Sequence, residues 1–226
     1  MATILVLFTT LSRAQWIVQQ NPATSNLEAL WSEPTEGASS AEIRFARLIG
    51  GQWTTSEVLS SDADPFDQPS LAFEVDGAEA AAWATDSYAI VLRRRPSQAT
   101  SWSSGVPLSD TDEIAHSPSV AVYDGDVYVT YEVETGSGRA VQVAKMDPGN
   151  SVERSLVALT SSGSPLNVKI HAEGGLLWAD WVASTEVMGF SVYIDGAWGH
   201  DQSEAYSGVD DQESARRRIK EAVLAN

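Results

Sequence analysis

The sequence of 226 residues contains no cysteine, which excludes a disulfide framework, a thiolate metal site and a cysteine nucleophile. Positive charge is scarce: 14 Lys and Arg stand against 31 Asp and Glu, and the formal charge of −17 would repel nucleic-acid backbones and anionic membranes. The three histidines, His116, His171 and His200, lie far apart without an HExxH pairing, so no zinc pattern is present. Long apolar runs are missing as well. Ile4 to Phe8 falls far short of the roughly 20 residues that a membrane-spanning helix needs, so no transmembrane segment is expected. No basic residue precedes that run, which reads as a strand over 2–9 rather than a secretory leader, although Arg13-Ala14-Gln15 could pass for a weak cleavage site. Hydrolase-elbow, P-loop and dinucleotide glycine motifs are likewise not found.

What the sequence has instead is a repeat of nearly fifty residues. Pro69-Ser70 returns 49 residues later as Pro118-Ser119, and Pro165-Leu166 follows 47 after that. Aromatic strand centres recur at Trp31, Trp83, Tyr131 and Trp181, and Trp53 recurs as Trp102. Asp76-Gly77 and Asp124-Gly125, 48 apart, have the composition of type I′ hairpin turns; Gly50-Gly51 and Asp195-Gly196 mark later hairpins. Each unit reads as four short strands, and a four-stranded sheet with two apolar faces must stack on its neighbours. The expected fold is therefore all-β, a small β-propeller of about four blades over 1–206. Its units lie near 14–59, 69–108, 118–158 and 167–200, with an extra strand at 2–9. An open arc, or a ring shared between subunits, is the alternative closure. The tail over 207–226 predicts a short helix, with Asp210 as its cap and Ala215, Ile219, Ala222 and Val223 as an apolar stripe.

The strand order, the tryptophan that opens the last strand of a unit, and the stretch from Arg95-Pro96-Ser97 to Trp102 resemble degenerate Asp-box repeats of sialidase-like propellers, over roughly residues 40–200. Catalysis in that family implies three arginines around a carboxylate, a tyrosine nucleophile and a glutamate. Here Arg93, Arg94 and Arg95 share one strand, where alternate side chains face opposite sides. A second resemblance, to fucose-lectin propellers, runs through Ile43-Arg44-Phe45-Ala46 and Gly50-Gly51-Gln52-Trp53. It implies sugar pockets built from an arginine, a glutamate and aromatics, and points to Arg44, Trp53 and Trp102.

In a propeller the loops from the last strand of one blade to the next blade, and from the second to the third strand, share one face. Asp62 and Asp64 recur 48 residues later as Asp110 and Asp112 in such loops, with Asp67 and Glu113 nearby, and Glu33, Glu36, Asp86, Glu134 and Glu186 fall in the others. The four aspartates are the candidate ligands for calcium, a hard cation that takes oxygen donors; no other cofactor is expected. Arg216, Arg217, Arg218, Ile219 and Val223 form a candidate partner-binding strip, and a protein partner or a homo-oligomer is expected. The primary reading is a non-catalytic interaction or scaffold module of a larger assembly. A carbohydrate-binding lectin is the alternative, and a sialidase-like or other glycoside hydrolase comes third. Cysteine-free, Ser/Thr/Trp-rich repeats favour an extracytoplasmic over a cytoplasmic location.

Overall fold

The computed structural model describes residues 15–136, 138–160, 166–184, 187–199, 202–205 and 212–225; the expected strand over 2–9, Asp210 and His200 lie outside them. The repeat folds as the spacing predicts, into four antiparallel sheets taken up in chain order. The first holds β1 (Gln15–Gln20), β2 (Leu27–Pro34), β3 (Ala41–Ile49), β4 (Gln52–Trp53) and β5 (Glu57–Ala63). The second holds β6 (Ser70–Phe73), β7 (Glu79–Ala84), β8 (Ile90–Arg95) and β9 (Val106–Pro107). The third holds β10 (Ala115–Tyr123), β11 (Asp126–Thr135), β12 (Gly138–Met146) and β13 (Val152–Thr160). The fourth comprises β14 (Leu166–Glu173), β15 (Leu176–Val182), β16 (Val187–Ile194), β17 (Ala197–Trp198) and β18 (Gln202–Ala205), followed by α1 (Gln212–Leu224). Among the described residues no helix is long and apolar enough to cross a membrane.

Asp124-Gly125 and Asp195-Gly196 both hold positive φ at the two turn residues, as a type I′ hairpin requires. Asp76-Gly77 differs, because only Gly77 is left-handed and the Asp76 carboxylate accepts the Ala78 amide at 2.9 Å, closing a longer turn. A Cβ on Gly77 would lie 2.8 Å from that of Ala23, so this turn needs glycine for space as well as for backbone conformation.

The seams between sheets contain the core. Trp83 turns onto the first sheet among Leu30, Ile43 and Phe45, Tyr131 onto the second beside Leu92 and Leu108, and Trp181 onto the third with Tyr128 and Val141. Trp31, the equivalent residue of the first unit, faces the other way, and Trp16 stacks on it with ring centroids 4.4 Å apart. Among the described residues no buried cluster joins the fourth sheet to the first. Burying an aromatic or aliphatic side chain of this size contributes roughly 1.5–3 kcal/mol, which is why stacking decides the architecture.

The Pro-Ser repeat also has a structural role. The inner edge of a first strand presents unpaired backbone groups. Ser70 Oγ accepts the Val120 amide at 3.0 Å and Ser119 Oγ accepts the Ile170 amide at 3.2 Å, so each serine ties its blade to the next. Gly189, paired across from Trp181, makes room for that indole: a Cβ there would sit 2.3 Å from the ring. Gly189→Ala should therefore cost about 1–3 kcal/mol by overpacking, read as a lower urea midpoint with an unchanged slope. An unchanged midpoint would show that the seam gives way freely.

Candidate functional site

The starts of β6, β10 and β14, the first strands of three neighbouring sheets, meet in an axial pocket of about 340 Å3 lined by Phe66, Asp67, Ser117, Asn167 and Lys169 among others. Ser117 and Asn167 hold the same place in their strands, three residues beyond the match of Pro118 with Pro165 that the sequence repeat suggests, and Gln68 precedes β6 in the same way, so three units each contribute residues just before or within their first strand. Ser117 and Asn167 both take positive φ at a break in strand register, which bends the strand entry so that the backbone lines the pocket. The Phe66 ring is 72% exposed beside it.

Charge is concentrated here. Asp67 Oδ2 accepts the Ser117 amide at 3.1 Å and lies 3.4 Å from His116 Nδ1. Burial raises the Asp67 carboxyl above its usual range, while the Ser117 amide and His116 pull it back. His116 Nε2 is 3.7 Å from Glu134, and its ring meets Tyr88 edge-on at 5.2 Å. Behind the Asn167 wall, Glu132 is 1% exposed; its pKa is raised by burial and held back by Arg139, whose Nη1 is 2.7 Å away. Glu132 Oε1 is buried with no hydrogen-bond partner. The Lys169 amine is lowered by burial and by Arg216, with Asp180 opposing. A pocket lined by a carboxyl raised by burial and an ammonium lowered by it, with a second raised carboxyl behind its wall, is a candidate for a binding or reacting centre.

The expected calcium ligands do not gather. Asp62 is exposed and engaged by Ser60, Asp110 pairs with Arg154 at 3.0 Å, and Asp112 is exposed. Asp64 is buried and its carboxylate accepts the Phe66 amide at 2.8 Å. The cluster that does form among the described residues is Asp64, Asp67 and His116, with one donor atom from each within 4.8 Å of the others. An imidazole nitrogen in a three-donor set does not suit calcium, which takes six to eight oxygens. The equal spacing of 48 hides a local difference: Asp62 lies in β5 and Asp64 just beyond its end, whereas β9 stops at Pro107 and leaves Asp110 and Asp112 in a turn.

The three sugar-binding candidates are also separated. Arg44 projects from the outer face of the first sheet, at 2.5 Å from Glu33 and 2.6 Å from Glu42, with Trp31 as its cross-strand neighbour. Trp102 packs on the opposite face of that sheet, edge-on to Phe45, while Trp53 lies 40% exposed in the β3–β4 hairpin. The partner-binding strip is corrected in part: Ile219 and Val223 are buried against Trp178, Met188 and Phe190 of the fourth sheet. Arg216 is bonded to Asp180 at 2.9 Å and to the Asn167 carbonyl at 2.9 Å, whereas Arg217 and Arg218 face outward. The helix spends its apolar stripe on its own chain because the fourth sheet would otherwise expose that face.

No family model and no curated protein matches this sequence. Its fold is shared by solved structures. AofleA from Arthrobotrys oligospora superposes with a TM-score of 0.62 at 9% identity, covering 87% of this chain and 58% of its own. A protein of unknown function from Dyadobacter fermentans gives 0.61 at 14% identity, with 87% and 70% covered. The α-L-arabinanase of Penicillium chrysogenum, complexed with arabinobiose, gives 0.56 at 13% identity, with 86% and 66% covered. The chain thus spans only 58% to 70% of the length of these structures. The expectation of a chain without catalysis is corrected by the arabinanase: the same arrangement of blades carries a glycosidase, so missing sequence motifs do not exclude an enzyme. The scaffold reading gains no support from these structures, and the fold they share with this chain is a propeller.

Proposed function

We propose that this chain recognises carbohydrate through the axial pocket. The observation that carries the reading is the juxtaposition, at the convergence of three blades, of the exposed Phe66 ring with Asp67 and Lys169. An aromatic face takes the C–H side of a sugar ring, and a carboxylate and an amine supply an acceptor and a donor for its hydroxyls. The arabinobiose held by the Penicillium arabinanase supports this choice of ligand class. Glycans of this type are met outside the cytoplasm, which fits an extracytoplasmic location.

Titration with arabinobiose and a panel of plant and fungal oligosaccharides tests the reading. Phe66→Ala should weaken binding about tenfold while leaving the melting temperature unchanged, because the ring is exposed. Binding that survives Phe66→Ala and Asp67→Ala together would remove the axial pocket from the function.

Hydrolysis is a second reading, favoured by the Asp67 carboxyl, which lines the pocket and is raised by burial. A carboxyl kept protonated by burial can protonate a leaving glycosidic oxygen while an ionised one serves as base or nucleophile. Release of reducing ends from a bound oligosaccharide, lost in Asp67→Asn, would establish it.

A further inference from the structure

On the opposite face of the stacked sheets, the β1–β2 hairpin, the β6–β7 turn and the segment after β8 enclose a cleft of about 610 Å3, within the range of small-ligand sites. Its floor is charged and buried. Glu28 and Glu79, 1% and 4% exposed, lie beside Arg47, whose Nη2 donates to Glu79 at 2.8 Å and whose Nε is 3.5 Å from Glu28. Arg95, 1% exposed, sits beneath and bonds Glu79. Asn21 Nδ2 donates to Glu28 Oε1 at 3.1 Å, but Glu28 Oε2 and Arg47 Nε are buried without a hydrogen-bond partner. Each keeps only a longer ion-pair contact, Arg47 Nε at 3.5 Å from Glu28 and Glu28 Oε2 at 3.7 Å from Arg95, so a ligand that reached them would add the missing hydrogen bonds.

We infer that this cleft between the first two blades is a second binding site, built for a neutral polyhydroxylated ligand such as a saccharide. The floor sets two acids against two bases, so it presents charges of both signs rather than the single-signed field that would select an ion. Glu28 and Arg47 both line the cleft, and a diol meets the two unpartnered atoms once these side chains turn toward it: one hydroxyl donates to Glu28 Oε2 and another oxygen accepts from Arg47 Nε. The walls supply short amide and hydroxyl groups, among them Asn26, Thr24, Gln98 and Thr100, and Ile49 and Pro96 offer an apolar strip for ring carbons. None of these groups belongs to the axial pocket, so the inference stands apart from the proposal made for it.

Ligand-observed NMR with arabinobiose, cellobiose and maltotriose, followed by calorimetric titration of whichever binds, tests this on the intact chain. Two variants block the cleft. Thr100→Trp fills it from an exposed rim position, and Glu28→Gln replaces the open carboxylate oxygen while removing its repulsion with Glu79. The expected result is that at least one sugar binds, that each cleft variant weakens it tenfold or more, and that Phe66→Ala leaves this component intact. Binding lost in Phe66→Ala but untouched by Thr100→Trp would overturn the second site and leave the axial reading standing. Binding removed by neither set, or no binding of any neutral sugar at millimolar concentration, would also overturn it.

Discussion

Raising the pH from about 5 to about 8 is expected to destabilise the folded protein by about 3 kcal/mol through Glu28 alone. Its carboxyl is pushed up to about 7 by burial first and by the neighbouring Glu79 carboxylate second, with Arg47 and Arg95 only partly opposing. In the unfolded chain the group titrates near 4.5. Between these values the folded form holds a proton that the unfolded form has released, so stability is full below the lower value and is lost as the pH rises through the upper one. Asp67 and Glu132, both raised, act in the same direction. The surplus of acids adds self-repulsion as it ionises. Urea denaturation at the two pH values reads the difference directly, and Glu28→Gln should flatten most of it. A midpoint that climbs with pH would contradict the account.

Arg95→Ala is expected to cost about 3–5 kcal/mol, because it leaves buried carboxylates uncompensated. Arg95 bonds Glu79, lies 3.7 Å from Glu28 and 3.6 Å from Glu57, and is held between the rings of Phe45 and Trp102 at 4.6 and 4.7 Å. With it gone, Arg47, itself partly exposed, is the remaining counter-charge for Glu28 and Glu79. The control is a triple variant, Arg95→Met with Glu28→Gln and Glu79→Gln, which removes both signs together and should recover much of the loss. If the triple variant is as unstable as Arg95→Ala, the arginine acts through packing between the two rings rather than through charge.

These residues also mark where sequence reading stops. Repeat length, strand order, three of the hairpins and the terminal helix were legible because backbone periodicity and turn chemistry are local properties. That Arg93, Arg94 and Arg95 alternate across one strand was legible, but which side the neighbouring sheet covers was not. Arg94 does reach a half-buried Glu74, yet Arg95 turns inward, because its alternate position on β8 faces the first sheet. The axial pocket was hidden for a different reason: Asp67, His116 and Lys169 come from three units and converge only once the blades stack. Their common register just before or within a first strand was the available signal. Ser70 and Ser119 were visible as a repeat, but their hydrogen bonds to the next blade follow from stacking geometry rather than from the motif.

A row of stacked sheets with an uncovered apolar face at each end would be a building block for head-to-tail polymerisation, since the last sheet of one copy could receive the first sheet of the next without the series ever closing. Helix α1 occupies one of those faces through Ala215, Ile219 and Val223, and Arg216 fastens it to Asp180 at 2.9 Å. A copy so plugged can neither recruit another sheet at that end nor seed a fibre from it. Loosening α1 would therefore convert a stability defect into an association defect, visible as mass that grows with protein concentration.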